Sequence, residues 1–433
     1  MGKVYKEEKR LVRFTYILIA ICFINLSFIT TPINTAALVM GAILMVLIGT
    51  IHFMLRRYFP KGDKYLYILA CILATIGITM LYRLDVAKGT SLAIKQIVWF
   101  IIGVTVYVFV IVLMPELDRL KKYRYIFLIL TIIFMSMAKI YNTITGKAAV
   151  NGALNWVYIA GFSFQPSEFG KIFLVIYLAI ALNKESSSKD EYLGFISDAM
   201  EKILGPFGKY YRVGIEPIFT IMFSLGFMVL QTDLGTALMI FGVSITMLYM
   251  ATGNFKYMLA TFALASVGAV AAYFMFAHVK RRVLIWRNPW PYVSGESYQL
   301  VQGFYGMAEG GVIGKGLGLG YPNKVPMCES DFIFSAISEE MGILVGFAII
   351  LIYLLMFYRS MRGAINIRDN GAKLLDVGLS TMIAIQSLVI VGGVTGAIPL
   401  TGITLPFVSY GGTSILSAFI ILGILQKISE GEK

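Results

Sequence analysis

One segment decides the fold: Gln165-Pro166-Ser167-Glu168-Phe169-Gly170-Lys171, which opens an apolar run from Ile172 to Leu182. Glu168 and Lys171 are three positions apart, so on a helix they share one face and can form an ion pair. A charged side chain inside a membrane helix costs roughly 2.5 kcal/mol or more, and such residues usually face the interior of a bundle or a wet cavity. The segment therefore predicts a polar cavity within a bundle of membrane helices, and with it either chemistry or transport.

The composition is that of a polytopic membrane protein. Of the 433 residues, 58% are hydrophobic and only 14% are charged, and the mean hydropathy is +0.78. Since a span needs about 20 largely apolar residues, we predict an all-α fold of about twelve transmembrane helices with a large extracellular loop at 278–331. The predicted spans are 13–32, 36–55, 66–83, 94–114, 124–139, 165–184, 213–230, 234–252, 257–277, 332–358, 374–396 and 403–426.

The charge distribution predicts the orientation. Loops on the N-terminal side of the predicted bundle carry most of the 37 lysine and arginine residues, so the positive-inside rule places both termini in the cytoplasm. The same bias accounts for the net charge of +13 without nucleic-acid binding. The basic start precedes a long apolar run without a small-residue cleavage site, which favours a retained first span over a signal peptide. The longest inner loop, at 184–212, is predicted to be a solvated connector with a short amphipathic helix.

The cysteines and histidines exclude two kinds of site. Cys22, Cys71 and Cys328 give no disulfide framework, and the first two lie in apolar runs. The two histidines, His52 and His278, are far apart in sequence, which argues against a histidine metal site.

The predicted outer loop at 278–331 is basic and rich in glycine. Two interpretations of its cations remain open: anchors for lipid headgroups, or an anion site in which arginine forks hold phosphate oxygens. Its stretch at 314–320 is similar to a nucleotide-binding loop only superficially, because no strand precedes it and no Lys-Ser/Thr pair ends it. We expect tight turns there, and a helix from Leu300 to Ile313 along the membrane interface. The cations are Lys280, Arg281, Arg282, Arg287, Lys315 and Lys324.

Five motifs occur in a fixed order over about residues 66–426. Together they resemble the SEDS (shape, elongation, division and sporulation) family, which includes RodA and FtsW. They are Asn151-Gly152-Ala153 with Asn155-Trp156 and 161–171; 231–237; Tyr298-Gln299 with the glycines that follow; Ser330-Asp331-Phe332-Ile333-Phe334 with 339–342; and 396–412, which contains Pro406-Phe407-Val408-Ser409-Tyr410-Gly411-Gly412.

The resemblance implies an activity, a substrate and a partner. It implies a peptidoglycan glycosyltransferase of the bacterial plasma membrane that polymerises lipid II on the outer face, for elongation, division or sporulation. A class B penicillin-binding protein would be the partner, and Mg²⁺ or Mn²⁺ could accompany the lipid pyrophosphate. Because the family typically has ten spans, residues 1–60 are expected to be a two-helix addition to a core at 61–433.

Asp331 has two interpretations. By itself it is typical of an acid in the first turn of a helix, beside Ser330 as cap. The resemblance instead implies that it is the catalytic aspartate, the general base for the acceptor hydroxyl. The family usually has histidine and threonine before this aspartate, whereas this chain has Glu329 and Ser330. A second carboxylate raises the pKa of a neighbouring acid, so we expect activity shifted to higher pH.

Further residues of the motifs are expected to bind substrate. Glu168 and Lys171 either touch the substrate or form a structural pair that orients two helices. Asp233 is predicted to cap a helix rather than to catalyse. The residues predicted to bind substrate are Arg281, Arg282, Arg287, Glu168, Lys171, Gln165, Tyr298, Gln299 and Ser409.

Two other functions compete with polymerisation. A flippase for lipid-linked precursors would also use a charged pair within the membrane, but the distinctive residues cluster on the predicted outer face and no inverted repeat is evident. A non-catalytic activator of the transpeptidase would tolerate the altered residues before Asp331.

Overall fold

The computed structural model describes residues 2–29, 32–115, 117–146, 154–159, 162–183 and 215–431. The predicted amphipathic helix at 184–212 and the motif Asn151-Gly152-Ala153 lie outside these residues.

Within the described residues the structure has sixteen α-helices and a short antiparallel hairpin, in which β1 (Val157–Ile159) pairs with β2 (Phe162–Phe164). The helices are α1 (Gly2–Ser27), α2 (Thr35–Tyr58), α3 (Lys64–Lys88), α4 (Leu92–Leu113), α5 (Leu117–Leu120), α6 (Arg124–Thr145), α7 (Ser167–Ala181), α8 (Ile215–Leu230), α9 (Leu234–Thr252), α10 (Phe255–Met275), α11 (Ala277–Arg287), α12 (Tyr298–Gly310), α13 (Ile333–Met341), α14 (Ile343–Ala364), α15 (Asn370–Val394) and α16 (Gly412–Gly431).

The predicted all-α membrane fold is confirmed. Each of the twelve predicted spans contains a helix, and nine helical segments of the described chain are long and apolar enough to cross a membrane. The number rises to ten if α10 and α11, interrupted at Phe276, count as one span. The helices α7 and α8, of 15 and 16 residues, are apolar but shorter.

Two predicted spans have the wrong bounds. The span predicted at 332–358 is two helices, α13 and α14, separated at Gly342, which has a φ of 86°. The segment at 311–314, which leads into the glycine-rich loop at 314–321, passes close to this break. The Ile343 N–H donates to the Gly311 carbonyl at 3.1 Å. A Cβ on Gly342 would lie 2.4 Å from the Val312 carbonyl oxygen. The last span begins at Gly412 rather than 403, because the residues before it form a hydrogen-bonded loop.

The chain divides into two compact units. Unit 1 comprises Met1–Leu113, Val279–Arg359 and Gln386–Lys433. Its centre is α3, which is buried almost along its whole length. The helices α1, α2, α4, α13 and α16 pack against α3. Gly103 of α4 lets the Phe419 ring of α16 approach to within 2.4 Å of where a Cβ would be, so a glycine fixes this contact.

Unit 2 comprises Met114–His278 and Ser360–Ile385. Its buried helix is α7, which begins with the predicted charged pair and packs against α6, α8 and α9. The hairpin stands next to α6 and precedes α7 directly. The apolar run after Lys171 is thus a core helix of this unit.

Candidate active site and its supporting network

Asp331 lies in a turn of unit 1 immediately before α13. The turn is closed by a hydrogen bond from the Ser330 N–H to the Met327 carbonyl at 3.0 Å. Its carboxylate is half-buried, and one oxygen lies 3.5 Å from where a Cβ on Gly402 would be. The N-cap of α13 is Phe332, which makes no side-chain capping bond, and the Ser330 hydroxyl donates to Met327 instead. The structure therefore does not support Ser330 as a helix cap.

The loop before α16 holds this turn from one side. The Tyr410 N–H donates to the Glu329 carbonyl at 2.9 Å, and the Ser409 hydroxyl donates to the Ser330 carbonyl at 2.6 Å. Ser409 itself is fixed, because its oxygen accepts the Leu405 N–H at 2.9 Å. These bonds fix the backbone of the two residues before Asp331. Ser409 is buried, and its predicted contact with substrate stays a prediction.

A lysine holds the turn from another side. The Lys88 ammonium at the end of α3 forms an ion pair of 2.7 Å with the Glu329 carboxylate. The Cys328 thiol lies 3.5 Å from the same oxygen. Burial, the largest single cause, raises the pKa of Glu329, but the hydrogen bond and charge of Lys88 together with the backbone and Cys328 hydrogen bonds outweigh burial, and the pKa is lowered. Glu329 is therefore anionic and paired at neutral pH.

The glycine-rich loop is bound by two glutamates of α13. Glu340 accepts the Gly318 N–H at 2.9 Å and forms a buried ion pair with Arg83 of α3, also at 2.9 Å. The guanidinium of Arg83 also donates to the Gly320 carbonyl at 3.0 Å. Glu339 accepts the Tyr321 N–H at 2.6 Å. Backbone and charge together fix the loop at 314–321 to the helix that follows Asp331.

The helix α12 packs tightly on α13. Gly303, Gly306 and Gly310 face α13 and are buried. A Cβ on Gly310 would lie 2.2 Å from the Ser338 carbonyl oxygen, so only glycine allows this approach. The predicted helix from Leu300 is confirmed, and α13 covers one of its faces.

The predicted cations of α11 have different surroundings. Arg281 pairs with Glu296 and lies over the Tyr292 ring. Arg282 donates to the carbonyls of Leu400 and Thr401 at 3.3 and 3.2 Å, next to Gly402. Arg287 is exposed and makes no hydrogen bond or ion pair within the described part of the chain. Of the three, Arg287 is the one whose guanidinium is not also bonded to other groups of the described chain.

Of the two polar residues at the start of α12, Gln299 contacts the chain next to the same turn. Gln299 donates to the Pro326 carbonyl at 2.8 Å, one residue before the turn begins. The Tyr298 ring is 40% exposed. Their predicted role in substrate binding stays a prediction.

The charged pair that opens α7 is formed. The Lys171 ammonium lies 2.7 Å from the Glu168 carboxylate, and both side chains are almost fully buried. A cavity of about 10 Å³ lies beside Lys171 and is otherwise lined mainly by apolar residues of α7, α9 and α15, together with Ser244. That volume is at the lower limit for one water molecule. The pair is a buried polar group within unit 2.

Asp233 caps α9, as predicted. It accepts the Thr236 N–H at 3.1 Å, and its other oxygen accepts from Asn155 and Gln165 at 3.0 and 3.1 Å. Thr232 before it has a φ of 59°, a rare conformation for a β-branched residue. Gln165, predicted to bind substrate, is thus placed on a helix cap.

The described ranges hold no group of three or more His, Cys, Asp or Glu side chains that could bind a metal ion.

Sequence reasoning missed two residues of this network, Arg83 and Lys88. Both lie in the last two turns of α3, and their partners lie 257 and 241 positions away in sequence. The only signal in the sequence was the position of both cations at the predicted outer end of the third span.

Comparisons with known proteins show the family to which this chain belongs. The sequence profile of the FTSW_RODA_SPOVE family of cell cycle proteins matches residues 63–433. The chain is 34% identical to the peptidoglycan glycosyltransferase RodA of Mycobacterium tuberculosis, over 91% of this chain and 83% of that protein. It is 30% identical to the stage V sporulation protein E of Bacillus subtilis, over 85% of this chain and 96% of that protein. A solved chain from a peptidoglycan synthase complex has the same fold, with a TM-score of 0.67, 22% identity, and coverage of 86% of this chain and 98% of the solved one.

Proposed function

Since the chain belongs to the FtsW, RodA and SpoVE family, the SEDS family of the sequence resemblance, we propose that it polymerises lipid II with Asp331 as general base. The chain is a peptidoglycan glycosyltransferase and a multi-pass membrane protein. The observation that supports the proposal is the fixed turn at 327–331, which presents a half-buried carboxylate beside Gly402, where no side chain intervenes.

The reaction follows from the chemistry of the two lipids. The 4-hydroxyl of the acceptor sugar attacks the anomeric carbon of the donor sugar, and the bond from that carbon to the pyrophosphate oxygen breaks. The hydroxyl proton passes to the Asp331 carboxylate, which is general-base catalysis. The leaving pyrophosphate gains negative charge, and nearby cations stabilise it. Arg287 and Arg282 of α11 are the cations we assign to that role.

The proposal includes a side of the membrane and a partner. The bias of the basic residues supports two cytoplasmic termini and an outer loop at 278–331 in the bacterial plasma membrane. A class B penicillin-binding protein would crosslink the glycan strands. The likeness to a chain from a peptidoglycan synthase complex supports such a partner. Residues 1–60, which precede the family match, are the proposed two-helix addition.

The test is polymerisation of labelled lipid II by the purified chain, alone and with its transpeptidase. Asp331→Asn keeps the size of the side chain but removes the basic oxygen, so we expect product to fall by at least about a hundredfold. The melting temperature should stay close to that of the parent. Near-normal product from this variant would exclude Asp331 as the base.

The same assay separates the competing functions. A flippase would move lipid II from one leaflet of a vesicle membrane to the other without forming polymer. A non-catalytic activator would form no polymer with or without Asp331, yet would stimulate the transpeptidase.

A further inference from the structure

Glu329, which stands where the family usually has histidine, lies two residues before the proposed base and forms an ion pair with Lys88. The pair is short, at 2.7 Å, and its two side chains are only 25% and 19% exposed. Partial burial makes such a pair stronger than an exposed one, because solvent screens it less. The pair therefore contributes to the electrostatics of the site.

Both ends of the pair are held rigidly. On the lysine side, Asp85 accepts the N–H groups of Leu92 and Ala93 at 2.8 and 2.7 Å and fixes the turn between α3 and α4. Gly89, in the left-handed region with a φ of 66°, ends α3 directly after Lys88. On the other side, the Glu329 carbonyl is bonded to the Tyr410 N–H. The ammonium is thus anchored to a turn that does not depend on Glu329.

We propose that Lys88 is a positioning residue for the glycosyltransferase reaction: it ties the Asp331 turn to the end of α3 and cancels the charge that Glu329 brings beside the base. The inference rests on the proposed role of Asp331. It also changes an expectation from the sequence, since the second carboxylate raises the pKa of the base only when Lys88 is removed.

The other ionisable groups around the turn do not replace Lys88. Burial raises the pKa of the Cys328 thiol to about 11 and also raises the pKa of Tyr410, so both are neutral at pH 7. Arg282 is bonded to carbonyls of the loop before Gly402, and Glu340 is paired with Arg83. In the described part of the chain, Lys88 is the only cation that forms an ion pair with Glu329.

The sign of the effect is fixed by the role of a base. A general base works when deprotonated, so activity rises with pH through its pKa. In Lys88→Met the unpaired Glu329 raises the proton affinity of a neighbouring carboxylate, and the acid limb of the pH–rate profile moves to higher pH. We expect a shift of about one pH unit.

Four variants test this. The variants are Lys88→Met, Lys88→Arg, Glu329→Gln and the double variant Lys88→Met/Glu329→Gln. We would measure lipid II polymerisation between about pH 5 and 9, a range that brackets the raised pKa of a carboxyl group. Lys88→Arg and the double variant should return the acid limb to within about 0.3 units of the parent. Lys95→Met, an exposed lysine of the neighbouring helix α4, is the matched control and should change nothing.

Each outcome decides the proposal. If the acid limb of the pH–rate profile lies at the same pH in Lys88→Met as in the parent, the proposal is wrong. An acid limb that stays displaced in the double variant also overturns it, because the displacement is assigned to the unpaired Glu329 carboxylate, which that variant lacks. If Lys88→Met folds poorly, the parent and Glu329→Gln still give a test, because the Lys88 ammonium left without its carboxylate lowers the pKa of a neighbouring carboxyl and should move the acid limb to lower pH. A limb that does not move in Glu329→Gln would also overturn the proposal. Full activity of Asp331→Asn would refute the base itself, whatever Lys88 does.

Discussion

At the scale of single residues, the pair of Glu168 and Lys171 is the clearest case of a buried charge that depends on its partner. We expect Glu168→Ala and Lys171→Ala each to destabilise the protein by about 3–5 kcal/mol, because each removes the opposite charge from a buried pair. The double variant should lose less than the sum of the two. Thermal unfolding in detergent measures all three, with the exposed Lys256→Ala as control. Losses that simply add would show that the two residues are not coupled.

The arginines of α11 should separate into structural and binding residues. Arg287→Gln removes an exposed guanidinium without a protein partner in the described chain, so we expect weaker lipid II binding, by about tenfold, at unchanged stability. Arg282→Gln also removes two bonds to loop carbonyls, so it should lower both binding and the melting temperature. Lys315→Gln is the control. If Arg287→Gln binds lipid II as tightly as the parent, this helix only anchors headgroups.

Part of the site could be predicted from the sequence and part could not. The ion pair of Glu168 and Lys171 lies in a compact motif, where helical spacing alone brings the two groups together. Asp331 was singled out by the resemblance to the family, and its catalytic role stays a prediction. Arg83 and Lys88 could not be assigned, because ion pairs between residues far apart in sequence leave no local pattern. The pH effect expected from Glu329 was incomplete for the same reason: its counter-charge lies on α3.

At the scale of elements, the glycine-rich loop depends on one buried ion pair. Arg83→Met leaves the Glu340 carboxylate buried without its guanidinium, and the loop at 314–321 loses its anchor at the Gly320 carbonyl. We expect a loss of about 3–5 kcal/mol and faster hydrogen exchange in the loop. Exchange read by mass spectrometry measures the second effect. Arg83→Met/Glu340→Gln should recover part of the stability, and unchanged exchange in Arg83→Met would show that Glu339 and Glu340 hold the loop without Arg83.

Elements were predicted well where hydrophobicity alone decides, and poorly where the backbone turns inside an apolar run. All twelve predicted spans contain helices, because a long apolar run has few other ways to satisfy its backbone in a membrane. The break at Gly342 was missed, since a single glycine is tolerated in a helical pattern. The start of α16 was placed too early because the loop before it is apolar, although Pro406 marks a boundary.

At the scale of the whole molecule, the side on which the chemistry occurs can be tested with one cysteine. Ile313, directly before the glycine-rich loop at 314–321, is 82% exposed. The native cysteines Cys22, Cys71 and Cys328 are all buried. An impermeant thiol reagent should therefore label Ile313→Cys in intact cells. Gly363→Cys, at the exposed end of α14, should react only after permeabilisation. The reverse pattern would overturn the orientation and the proposed extracellular reaction.

A glycine of α3 allows a close approach between this helix and the loop before α16 that supports the candidate site. A Cβ on Gly77 of α3 would lie 2.3 Å from the Val408 carbonyl oxygen, one residue before the serine that bonds the Asp331 turn. The loop that supports the proposed base is therefore wedged against the most buried helix of unit 1. Such a site cannot open locally without opening the bundle, so its protection against hydrogen exchange should approach the global value. Detergents that inactivate the enzyme should then do so at the concentration that melts it, as a single cooperative event.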